Sequence, residues 1–111
     1  MIFVTGPLFA GKQEYICEAL GWTRDDFEKR AVRDVQELGW GEEDLAQLAE
    51  RLSRYEVVIA TEVGGGVVPA EPGDRAGRER AGRLACLLAE RADTVVRVCC
   101  GLPQVLKGKL P

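Results

Sequence analysis

Two glycines and a lysine carry the first chemical suggestion in this chain. Gly6-Pro7-Leu8-Phe9-Ala10-Gly11-Lys12-Gln13 has the spacing G-x-x-x-x-G-K and follows directly on the apolar run Met1-Ile2-Phe3-Val4-Thr5. A strand that runs into this pattern at the head of a helix suits a phosphate-binding loop. Glycines let the backbone curl so that its N–H groups point inward, and the helix adds its positive amino end. Lys12 then reaches the β- and γ-phosphates of ATP or GTP. Gln13 departs from the pattern, which has Ser or Thr there to hold Mg²⁺. An amide oxygen accepts a metal bond but holds Mg²⁺ less well. Phosphoryl transfer should therefore suffer more than ground-state binding.

Other chemistries are excluded by what the chain lacks. It has no histidine, so no Ser-His-Asp triad, Cys-His pair or imidazole base can form. Catalysis would fall to carboxylates, Lys12, backbone amides and a bound metal. Cys17, Cys86, Cys99 and Cys100 form no C-x-x-C pair, and with no histidine they complete no zinc site. They read as buried, reduced thiols of a cytosolic protein. A net charge of −3 gives no support for a nucleic-acid surface. No apolar stretch approaches the roughly 20 residues of a membrane span, and no signal peptide is apparent.

The elements that must position the loop follow from periodicity. Residues 1–5 read as a buried strand and 12–20 as the helix behind the loop, stopped at Gly21. Thr23-Arg24-Asp25-Asp26 resembles a capping box, with Asp for the usual Glu, and opens a second, solvated helix. Residues 31–35 fit either a short strand or the end of that helix. Gly39-Trp40-Gly41 is a break. Glu42–Arg54 is amphipathic, with Leu45, Leu48, Ala49 and Leu52 on one face and Glu42, Glu43 and Asp44 favouring its amino end. Residues 55–61 form a near-continuous apolar run of the buried parallel type. A glycine-rich loop continues to Gly73. Asp74 is the candidate N-cap of a long helix to about Arg91, and 93–100 is the last strand. Trp22 and Trp40 are expected to cover core rather than stack on a ligand. Arg75, Arg78, Arg80 and Arg83 read as a solvated helix face. Alternating strands and helices in 111 residues imply one α/β domain, a small P-loop NTPase-like fold with a mainly parallel sheet and helices on its faces. About three to five strands are expected.

Four segments in order resemble one family. They are Ile2–Gly6 with Gly11-Lys12, Val58–Pro69 with its E-V-G-G-G-V-V-P element, Arg75–Arg91 around Gly82-Arg83-Leu84-Ala85, and Ala92–Val95 with Gly101-Leu102-Pro103 and Leu106-Lys107-Gly108. Together they resemble the adenosylcobinamide kinase / adenosylcobinamide-phosphate guanylyltransferase family of cobalamin biosynthesis. The resemblance implies a cytoplasmic enzyme that phosphorylates adenosylcobinamide with ATP or GTP and Mg²⁺. It also implies a second step, GMP transfer through a guanylylated histidine, and a homo-oligomer, typically a trimer. Family members are longer in the middle, where that histidine lies, so guanylyl transfer of this kind cannot operate here. Thr61 replaces the family's Asn before Glu62. Aligned on Val32–Gln36, Asp34 matches an acidic residue that contacts nucleotide or metal; the alternative is a solvated surface charge. Glu62 becomes a candidate near the site; the alternative is a cap on the glycine loop. Two functions stay open: a shortened adenosylcobinamide kinase using Lys12 with Asp34 or Glu62, and a nucleotide-binding regulatory or assembly relative without turnover.

Overall fold

Side chains alternate in direction along a strand, and in the inner strands both sets are buried, so the sheet has two apolar faces. In the computed structural model, which describes residues 1–40, 44–63 and 72–111, β1 (Ile2–Thr5) lies between β3 (Val57–Ile59) and β4 (Thr94–Cys99), parallel to both. β2 (Ala31–Val32) pairs in parallel outside β3, and β5 (Leu102–Lys107) pairs antiparallel outside β4, giving the order β2-β3-β1-β4-β5. Phe3, Val58 and Val95 point to one face. There they pack with Val35, with Leu48, Ala49 and Leu52 of α3 (Leu45–Leu52), and with Leu84 and Leu88 of α4 (Pro72–Arg91). Val4, Val57, Ile59, Val96 and Val98 point to the other face. They pack with Ile16 of α1 (Lys12–Leu20) and Phe27 of α2 (Arg24–Arg30). Each large side chain buried this way contributes about 1.5–3 kcal/mol, so both helix layers are held chiefly by apolar area.

Local signals end the helices where the sequence suggests. Thr23 Oγ1 accepts from the Asp26 N–H at 3.2 Å, and Asp26 Oδ2 accepts from the Thr23 N–H at 2.9 Å, completing the capping box. These bonds favour the ionised carboxylate and pull the Asp26 pKa down. Gly21, at φ 67°, closes α1, while the Trp22 N–H returns to the Cys17 carbonyl at 2.9 Å. Trp22 is half-buried against the second face, with the Arg30 guanidinium 4.6 Å above its ring.

Several boundaries differ from expectation. α3 begins at Leu45, and Asp44 is its cap, accepting from the Ala46 and Gln47 N–H groups at 2.8 and 3.4 Å. Glu42 and Glu43 lie outside the described residues, as do Gly41 and the glycine loop from Gly64 to Ala70. Gly39 and Trp40 do not break the chain. They end a 3₁₀ helix, Val35–Trp40. α4 starts at Pro72, so Asp74 sits inside its first turn rather than capping it; Pro is at home there because its missing N–H would have no helical partner. The strand expected at 93–100 is not the last, because β5 follows it. Cys100 and Gly101, at φ 54° and 74°, form the two-residue turn that folds it back, and Pro103 is tolerated because the strand is an edge. The cysteines are not buried: Cys17 and Cys99 are half-buried, Cys86 and Cys100 exposed, and all four are free. No helix among the described residues is long and apolar enough to cross a membrane.

Candidate phosphate-binding site

Neighbouring strands β1 and β3 send their helices to opposite faces of the sheet. A crevice must open between their carboxyl ends, and ligands of such sheets bind there. A cavity of about 290 Å³ occupies it, lined by Leu8–Glu14, Arg33, Asp34, Ile59 and Thr61. A hollow of about 390 Å³ lies at Lys29, Arg30, Arg54, Tyr55 and Glu56, by the amino end of β3. It is larger, but the Arg30–Glu56 ion pair sits in it, and it has neither the loop nor the amino end of α1.

The loop is held in shape by close packing. Gly6 has φ 146°, and a Cβ there would lie 2.1 Å from the Val98 carbonyl oxygen, so only glycine lets β1 leave the sheet against β4. The Glu62 N–H donates to the Gly6 carbonyl at 2.9 Å, and the Gly101 N–H donates to the Ala10 carbonyl at 2.8 Å. The loop is thereby tied to the strand on either side. Phe9 stands at the tip with φ 59° and is 95% exposed. Gly11, at φ 86°, turns the chain into α1. As N-cap it offers no side chain to the first N–H groups of the helix, which have no intrahelical acceptors.

Among the described residues Lys12 is the one charged side chain in the buried set, at 8% exposure. Its Nζ donates to the Pro7 carbonyl at 2.7 Å and the Gly6 carbonyl at 3.4 Å. Burial pulls its pKa below the ordinary lysine value, and Asp34, Glu62 and Glu14 partly oppose that shift. The ammonium is therefore partly desolvated and satisfied by neutral acceptors, which an anion can outbid.

Each expected site residue has a definite position. Leu8, Phe9, Ala10, Gly11, Lys12 and Gln13 line the cavity, whereas Gly6 and Pro7 contribute carbonyls to the lysine from behind it. Asp34 follows β2, at φ 57°, and lines the same cavity as an exposed residue. Glu62 is not among the lining residues; Arg97 donates to both its carboxylate oxygens, at 2.5 and 3.0 Å, and the glycine loop that it is alternatively expected to cap lies outside the described residues. Gln13 does not plug the cradle; its Oε1 accepts from Arg33 Nη1 at 2.9 Å. Sequence reasoning passed over Arg33, Gln36 and Arg97. Gln36 Oε1 accepts from the Thr61 N–H at 2.9 Å and pins the end of β3. Arg97 had a signal, because an arginine in an otherwise apolar strand requires a partner. Arg33 and Gln36 had none.

Residues 21–106 match the family described as cobinamide kinase / cobinamide phosphate guanyltransferase. The chain belongs to that family. Membership makes it a cobalamin-biosynthesis protein of the kinase/transferase type and agrees with its α/β fold and small sheet. The matched span begins after α1, so Gly6–Gln13 lies outside it and the geometry of the phosphate loop is a separate observation. No curated protein matches the chain. At position 13 of this cobinamide kinase family member the expected Mg²⁺ fits poorly. The Gln13 oxygen is taken by Arg33 and the Glu62 carboxylate by Arg97. Among the described residues no group of three His, Cys, Asp or Glu could hold a metal ion.

Proposed function

We propose that this chain binds ATP or GTP in the cradle between β1 and β3 and phosphorylates adenosylcobinamide. The observation that carries this reading is Lys12, buried at the head of α1 and bonded only to loop carbonyls among the partners seen, in one cavity with Asp34. The loop amides and Lys12 would hold the β- and γ-phosphates and stabilise charge as it builds on the transferred group. Asp34 would accept the proton of the attacking hydroxyl while the γ-phosphoryl moves to that oxygen and the nucleoside diphosphate leaves. Glu62, engaged by Arg97, would position the loop rather than touch the reacting atoms. Guanylyl transfer through histidine has no residue here to carry it.

A second reading is a nucleotide-binding relative without turnover, favoured by Gln13 in place of the metal-holding hydroxyl. Incubation with γ-phosphate-labelled ATP or GTP and adenosylcobinamide separates the two. Label in the corrinoid, absent with Lys12→Ala, supports the kinase. Nucleotide-dependent thermal stabilisation without label transfer supports the relative. Neither labelling nor stabilisation would remove the nucleotide from the account. Acid-labile GMP on the protein would contradict the statement on guanylyl transfer.

A further inference from the structure

The side chain at the position that normally binds a metal is bonded here to a cation belonging to the protein. An arginine only donates, so the Gln13 amide must turn its oxygen to Arg33, and that oxygen is the only atom of the side chain able to bind a metal. A divalent ion at that oxygen would sit beside a guanidinium that never loses its charge. Asp34, which lines the cavity together with Glu14, has Oδ2 3.9 Å from Arg33 Nε, so its charge is also directed toward the arginine. Gln13 and Asp34 thus both face Arg33, at the mouth of the cavity that contains Lys12.

We propose that Arg33 takes the place of the divalent cation, so that the cradle binds a nucleoside di- or triphosphate as the free anion, between Lys12 and Arg33, without Mg²⁺. This rests on the nucleotide reading above. The guanidinium has five N–H donors in a planar fork, and those not committed to Gln13 suit a phosphate bidentately. Its side chain is 63% exposed, which leaves it room to swing toward a ligand. Gln13 then has a role of its own: it orients the arginine, which a serine hydroxyl is too short to do from the same backbone position.

Calorimetric titration of ATP and of GTP, in excess EDTA and in millimolar Mg²⁺, tests this. The unaltered chain should bind with affinities within about threefold of each other in the two conditions, against the tenfold that 1.4 kcal/mol represents. Arg33→Ala should weaken binding in EDTA by about tenfold or more, as expected for a charge-assisted contact. Arg33→Lys should recover part of that loss, because charge returns without the fork. Gln13→Ser combined with Arg33→Ala should make binding dependent on Mg²⁺. Arg33 is exposed, so these variants should keep the circular dichroism of the parent. Binding by the unaltered chain that falls tenfold or more in EDTA overturns the proposal and leaves the nucleotide reading intact. So does Arg33→Ala binding as tightly as the parent in EDTA. A chain that binds no nucleotide in either condition overturns the nucleotide reading itself, and the proposal with it.

Discussion

The carboxyl ends of β1 and β3 lie side by side and each presents a charged residue, but the two charges are treated in opposite ways. Lys12 is almost covered, and its ammonium is met by two backbone carbonyls. Glu62 is a third exposed, and its carboxylate is closed off by both arms of Arg97. A neutral acceptor gives up its donor to an incoming phosphate at little cost, whereas a bidentate ion pair does not. On the proposed reading the loop after β1 is therefore prepared for an anion. The end of β3 is occupied by the fold itself.

The strongest way to break this comparison is to disturb the packing that shapes the first loop. Gly6→Ala sets a Cβ into the Val98 carbonyl and should cost about 3 kcal/mol, seen as a lower urea midpoint with an unchanged slope. Parent-like unfolding would mean that β1 does not leave the sheet against β4 as described. Lys12→Ala comes next. Nucleotide affinity should drop by about 100-fold, near the upper range for a charge-assisted bond, while the ligand-free protein loses no stability because a desolvated charge has been removed. Equal losses from Lys12→Ala and Glu62→Gln would erase the contrast.

Titration sharpens the same point. The Lys12 pKa lies below its ordinary value, so as pH rises the folded chain sheds this proton before the unfolded chain does. Below the lowered pKa the burial penalty is fully present. Stability of the ligand-free protein should rise with pH between the lowered pKa and the ordinary 10.5, and nucleotide affinity should fall through the same window. Asp34→Asn removes a charge that supports the ammonium and should move that window to lower pH. A profile unchanged by Asp34→Asn would mean that the two groups do not feel each other across the cavity. The smallest effect is expected at β3. Arg97→Ala should change nucleotide affinity by less than about threefold and stability by under about 1 kcal/mol, because the pair is partly solvated.

Legibility in the sequence followed the range of the interactions. α1 ran from Lys12 to Leu20 as its periodicity required, and the Thr23 capping box formed as spelled, since both depend on neighbours within four residues. β5 was not legible. It is exposed along its whole length, has no apolar alternation to betray it, and exists because the Cys100-Gly101 turn lays it along β4. Arg33 was hidden for a similar reason: twenty residues separate it from Gln13, and only the seating of β2 beside β3 brings them together.

The sequence alone determined the short-range chemistry: the glycine spacing that curls a loop, the lysine at the head of a helix, the missing hydroxyl at position 13 and the absence of any imidazole. Tertiary structure decided which charges are paired with charge and which with neutral carbonyls. That choice depends on distances between strands far apart in the chain, where a partner 3 Å away either consumes a charge, as Arg97 does for Glu62, or holds it ready, as Pro7 does for Lys12.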